Sequence, residues 1–74
     1  MMSDTEPRVG DILRHNKRGT EYQVLHIATM QHTVPDSVLD EAPVVVYRCA
    51  ATGKIYVRPV HEFTTDRFTN LGPG

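Results

Sequence analysis

A β-hairpin over residues 44–58 constrains the fold of this chain more than any other part of the sequence. Its first half, Val44–Ala51, is rich in β-branched residues, which favour strands. Thr52-Gly53 then supplies the residues of a tight turn, and Lys54–Arg58 returns as the partner strand. Pro59 ends that second strand because proline has no N–H to donate.

Three further strands and one helical turn are predicted around this hairpin. Residues 9–15 form a first strand, and residues 21–30 form a longer second strand whose even-numbered positions share one face. Residues 60–63 make a single 3₁₀ or α turn that brings Phe63 into the core, and residues 66–70 form the last strand, with Phe68 inward. The pattern predicts a mostly β fold, a small five-stranded SH3-like barrel with one short helical turn, because closure shortens exposed sheet edges.

The length of the chain allows one domain. It has 74 residues, and a domain of this size buries roughly 60% of the surface of its unfolded chain. The predicted folded unit covers residues 9–70, with a flexible arm over 1–8 and a flexible tail over 71–74. Residues 31–43 form a loop that is long for so small a domain, which is typical of functional or mobile loops. A partner subunit or a bound ligand would add stability, so a homo-oligomer is one expectation.

Charge and cysteine content exclude several classes of protein. The formal net charge is −1, whereas general nucleic-acid binders carry a strong basic excess. Cys49 is the only cysteine, so an intramolecular disulfide cannot form, and a reducing, cytoplasmic location is expected. No apolar run approaches the ~20 residues of a membrane span, and the first residues lack the apolar core of a signal peptide.

No residue pattern indicates catalysis, a metal or a cofactor. The histidines lack the spacing of metal ligands; they are His15, His26, His32 and His61. Cys49 lies in the middle of a strand, where a core thiol with a raised pKa is expected. Neither a phosphate-binding glycine loop nor a nucleophile elbow is present. A binding protein without enzyme activity is therefore predicted.

The candidate binding site is a group of cationic and aromatic side chains centred on the hairpin. If Ile55 and Val57 face inward, Tyr56 and Arg58 face outward, and Arg48 joins them in a suitable register. Guanidinium groups bind phosphate or carboxylate, and a tyrosine ring stacks on a base. The first hairpin adds further basic groups, so that the full predicted set is Arg14, His15, Lys17, Arg48, Tyr56 and Arg58. A solvated sheet face, whose arginines pair with Glu21, Glu62 or Asp66, is the open alternative.

Leu13–Val24 contains Arg-His-x-Lys and Gly, followed by Tyr-x-Val, and Val45–Arg48 reads Val-Val-Tyr-Arg. Tyr56–Phe63 contains Val-Arg-Pro-x-x-x-Phe, and Arg67-Phe68 follows it. These motifs resemble those of a family of short bacterial and phage domains of unknown function. The resemblance covers about residues 10–68. It implies a compact β fold and a cytoplasmic bacterial or phage setting, and it transfers no activity.

These features together predict a non-enzymatic module that binds an anionic small molecule such as a nucleotide. In a phage setting, a small oligomer of this kind would sequester a nucleotide immune signal. Two alternatives stay open, namely an adaptor or inhibitor whose acidic segment 36–41 docks on a bacterial host protein, and a nucleic-acid binder that uses the basic patch 14–18. Arg58→Ala is expected to abolish ligand binding, and Val57→Asp is expected to unfold the domain.

Overall fold

The fold is that of a computed structural model, which describes residues 6–31 and 41–74. The elements are β1 (Asp11–His15), β2 (Glu21–Thr29), β3 (Pro43–Cys49), β4 (Ile55–Pro59), a 3₁₀ turn (Val60–Glu62) and β5 (Phe68–Pro73). The mostly β fold with one short helical turn is confirmed. Most of the predicted loop 31–43, including His32, lies outside the described residues, as do residues 1–5 of the predicted arm. The described part of the chain contains no helix long and apolar enough to cross a membrane.

All five strands belong to one antiparallel sheet with the order β4-β3-β2-β1-β5. β4 and β5 are its two edges, and the described strands do not close into a ring, so the predicted barrel is not confirmed. Side chains rather than a backbone ladder bring these edges together. The guanidinium carbon of Arg58 on β4 lies 5.8 Å from the centre of the Phe68 ring on β5.

The core covers one face of the sheet. Apolar side chains from four elements and the residue after the 3₁₀ turn pack together there, namely Leu13, Val24, Val45, Tyr47, Phe63 and Phe68. The predicted inward positions of Phe63 and Phe68 are confirmed, since each is 6% exposed. The register of β2 against β3 shifts between Val24 and His26. This bulge breaks the predicted alternation along β2, because an extra residue exchanges the two faces of the strand beyond it.

The hairpin presents the opposite faces from those expected. Tyr47 lies directly across from Tyr56, and Val45 lies across from Arg58. Directly opposite residues share a face, so Tyr56 and Arg58 lie on the same side as the buried Val45 and Tyr47. Ile55 and Val57 lie on the other side, where they are 61% and 54% exposed. The predicted inward orientation of these two residues is wrong, and a charge at position 57 would not be buried.

The last strand extends beyond the predicted boundary at residue 70. β5 continues to Pro73, and the N–H of Gly74 donates a 2.9 Å hydrogen bond to the carbonyl of Gly10. The Asn70 amide donates to Asp11 Oδ2 at 2.9 Å, and its oxygen accepts the N–H of Gly72 at 2.8 Å. Asp11 is buried and also accepts the N–H of Arg8. Residues 71–73, predicted as part of a tail, therefore belong to the sheet.

Candidate ligand-binding site

The six predicted site residues divide between the two faces of the sheet. Arg48 lies across from Ile55, which places it on the face opposite to Tyr56 and Arg58. Arg14 follows the buried Leu13 on β1 and therefore also points to that opposite face. The structure brings His15, Tyr56 and Arg58 to the core face and separates Arg14 and Arg48 from them. Lys17 lies in the turn that follows β1.

Three contacts fix the guanidinium group of Arg58. Nε donates a 3.2 Å hydrogen bond to the Tyr47 hydroxyl oxygen, and Nη1 donates a 3.0 Å bond to Glu62 Oε1. The group also lies over the Phe68 ring. The hydrogen bond with Tyr47 raises the pKa of Arg58, and the Glu62 carboxylate acts in the same direction. Among the described residues, the two hydrogen bonds use two of its five N–H donors.

His15 approaches the same Phe68 ring from β1. The two ring centres are 5.2 Å apart in an edge-to-face arrangement. The imidazole Nδ1 accepts the backbone N–H of Arg18 at 3.3 Å, so the neutral ring carries its proton on Nε2. Partial burial lowers the pKa of His15, and positive charges lower it further; those charges are Arg18, Arg58, Lys17 and Arg67.

Asn16 joins the turn after β1 to the segment before β5. Its amide donates to the carbonyls of Thr65 and Asp66 at 3.0 and 3.2 Å, and its oxygen accepts the Thr69 hydroxyl at 2.5 Å. Its backbone N–H donates to the carbonyl of Arg67 at 2.8 Å. These bonds hold Arg67 beside the turn that carries Lys17 and Arg18.

An aromatic surface continues from this cationic group along the sheet. Tyr56 is 41% exposed, and its ring stacks on that of Tyr47 with ring centres 5.7 Å apart and planes 28° apart. Tyr22 packs edge-on against both rings, 5.2 Å from Tyr47 and 6.2 Å from Tyr56. We call the following set of residues the cationic-aromatic site: His15, Lys17, Arg18, Tyr56, Arg58 and Arg67.

Arg18 and Arg67 are members of this site that the sequence interpretation did not include. The sequence places Arg18 in a turn and in the basic patch 14–18, and it places Arg67 in the last strand and in a family motif. The contact that unites their segments joins Asn16 to Thr65, 49 positions apart in the chain. No local periodicity or spacing in the sequence carries that information.

Cys49 lies away from this site at the end of β3. It is buried, as predicted, but its pKa is lowered rather than raised. Hydrogen bonds with the side chain and backbone of Thr52 favour the thiolate and outweigh the effect of burial. Within residues 6–31 and 41–74, no group of three or more histidine, cysteine, aspartate or glutamate side chains could hold a metal ion.

The sequence of this chain matches one described protein family. Residues 11–69 match the family described as a protein of unknown function, DUF1653. The chain belongs to the DUF1653 family. The segment of this DUF1653 chain that matches runs from the start of β1 into β5 and contains every residue of the cationic-aromatic site. No curated protein and no solved structure matches the chain. The predicted membership of a family of unknown function is confirmed.

His15 of this DUF1653 domain is expected to titrate below its ordinary pKa of 6.5. Because the unfolded chain then takes up the proton first as the pH falls, the free energy of unfolding should decrease below about pH 6.5. An NMR titration of the imidazole measures this pKa directly. Arg58→Ala should raise it and Arg48→Ala should leave it unchanged, because only Arg58 lies close to the ring. A pKa at or above 6.5 in the unmodified protein would contradict the arrangement.

Proposed function

We propose that this DUF1653 domain is a non-enzymatic module that binds an anionic small molecule with a planar ring, of the nucleotide class, at the cationic-aromatic site. One observation carries the proposal. Arg58 and His15 come from opposite sides of the sheet order, yet both lie within 5.8 Å of the centre of one buried ring, Phe68. The exposed Tyr56 ring lies beside them on the same face.

The chemistry of these groups matches the two parts of a nucleotide. Guanidinium N–H groups donate charge-assisted hydrogen bonds to phosphate oxygens, which are stronger than bonds between neutral groups. An exposed tyrosine ring stacks on a base, an interaction worth about 1–3 kcal/mol per base. Tyr56 and Arg58 are two residues apart on β4 and share a face, so one ligand can contact both.

The ion pair between Arg58 and Glu62 is one contact that the alternative of a solvated sheet face predicts, because arginines pair with carboxylates on such a face. Both side chains of this pair remain accessible, at 34% and 37% exposure. Ion pairs that are exposed to this degree typically contribute only about 0–1 kcal/mol. A ligand phosphate can therefore displace the Glu62 carboxylate at small cost. The contact supports the proposal, because the guanidinium group already faces one carboxylate.

The wider setting of the proposal is the bacterial or phage cytoplasm, where the domain would sequester a nucleotide signal, as a single chain or as a homo-oligomer. The SH3-like barrel belongs to the same proposal. The 3₁₀ turn precedes the last strand and Arg58 reaches Phe68 across the two sheet edges, which favours closure around a ligand held between β4 and β5.

The adaptor and nucleic-acid alternatives stay predictions. The acidic segment 36–41 lies almost wholly outside the described residues, and the basic patch 14–18 is divided because Arg14 points to the opposite face. A panel of ligands distinguishes these alternatives from the proposal.

Isothermal titration calorimetry with adenosine, cyclic adenosine monophosphate, adenosine diphosphate, inorganic phosphate and a single-stranded oligonucleotide tests the proposed function. Ring-bearing phosphates should bind more tightly than either the uncharged nucleoside or inorganic phosphate. Only they have both a base that stacks on Tyr56 and a phosphate that pairs with the cations. The absence of heat with every mononucleotide, or tighter binding of the oligonucleotide at low salt, would overturn the proposal.

A further inference from the structure

The cations of the site form two groups rather than one. Arg58 on β4 is the first group, held by Tyr47 and Glu62. The second group lies on the turn after β1 and on the segment before β5, which Asn16 joins by hydrogen bonds; its members are Lys17, Arg18 and Arg67. Phe68 lies between the two groups, since Arg58 and His15 contact its ring from different strands.

A phosphate that is attached to the ring of a ligand contacts the first group. Tyr56 and Arg58 project from the same face of one strand, so a phosphate attached to a ring stacked on Tyr56 meets Arg58 first. The ligand charge at Arg58 exchanges with the Glu62 carboxylate. The positive charges of the second group then remain available to a further phosphate.

The second group is held in place by backbone and side-chain hydrogen bonds. Asn16 bonds to the carbonyls of Thr65, Asp66 and Arg67, which fixes the two segments relative to each other. The charges that lower the pKa of His15 are positive, and the neighbouring Asp66 carboxylate, which accepts a hydrogen bond from Thr64, interacts with Arg67. Three cationic side chains on two joined backbone segments repel one another, and a bound anion reduces that repulsion.

We infer that the ligand carries at least two phosphate groups, as a nucleoside diphosphate or a dinucleotide does, and that it bridges Arg58 and the Lys17–Arg18–Arg67 group across Phe68. This inference rests on the proposed function and names its ligand class. A ligand with a single phosphodiester charge engages Arg58 alone. A ligand with a second phosphate also neutralises the turn cluster.

Calorimetry on Arg67→Ala tests the inference with two probes that share one ring. Cyclic adenosine monophosphate carries one phosphodiester charge, and adenosine diphosphate carries two phosphate groups. Arg67→Ala should weaken adenosine diphosphate about 10-fold, the scale of a charge-assisted hydrogen bond, and should leave cyclic adenosine monophosphate unchanged. The Asn16 link survives this substitution because it uses the Arg67 backbone carbonyl. Arg67→Lys, which retains the charge, should restore part of the lost affinity.

Arg14→Ala is the matched control, because it removes the same charge from the opposite face of the sheet. It should leave the affinity for both probes unchanged. An equal loss for both probes in Arg67→Ala, or a loss in Arg14→Ala as large as in Arg67→Ala, overturns the two-group inference while the proposed function stands. If the unmodified protein binds neither probe, the proposed function fails and the inference fails with it.

Discussion

Arg58→Ala is expected to weaken the binding of a ring-bearing phosphate by about 10- to 100-fold, the range that corresponds to the loss of hydrogen bonds to a charged group. The side chain supplies the only guanidinium group that lies over Phe68 in the described structure. The domain should stay folded, because Arg58 is only partly buried. Loss of the donor to the buried Tyr47 hydroxyl costs about 1 kcal/mol, which lowers the melting temperature by about 4–8 °C.

Arg48→Ala is the control for this experiment, since it removes the same side chain one strand away. Arg48 is exposed and faces the opposite side of the sheet. Calorimetry should find its affinity equal to that of the unmodified protein. Equal losses in Arg48→Ala and Arg58→Ala would mean that net charge alone governs binding, and the assignment of the site to one face would be wrong.

Phe63→Ala is expected to lower the free energy of unfolding by about 3–5 kcal/mol, the usual cost of removing a buried phenyl ring. Phe63 is 6% exposed, and its ring centre lies 5.4 Å from that of Tyr47 and 4.7 Å from that of Phe68. Small domains have a total stability of only about 5–15 kcal/mol. Urea denaturation followed by circular dichroism should therefore find a variant that is close to unfolding without denaturant.

Val57→Asp provides the comparison, because the sequence alone places Val57 in the core and the structure does not. With 54% of Val57 exposed, the introduced carboxylate remains in water, and the expected loss is below about 1 kcal/mol. A loss in Val57→Asp larger than that in Phe63→Ala would mean that the faces of the hairpin are reversed.

Local preferences in the sequence determined the elements of this fold. β-Branched residues predicted β3, and Thr52-Gly53 predicted the turn that follows. Gly53 has a φ of 77°, a conformation that glycine adopts without strain, and its N–H bonds to the carbonyl of Cys49 at 2.8 Å. Pro59 fixed the end of β4, and the position of Phe63 at the end of the predicted turn 60–63 predicted its burial. Each of these features depends on residues that are close in the chain.

The tertiary structure alone decided which faces these elements present. A shift of one residue in strand pairing moves every side chain to the other face, and both faces of β3 and β4 carry apolar residues. The pairing of Tyr47 with Tyr56 therefore selected Arg58 for the core face and left Arg48 on the other. The contact of Asn16 with Thr65 brought Arg67 to the site in the same way. Such long-range pairings depend on how all the strands pack together, so a reading of separate segments cannot supply them.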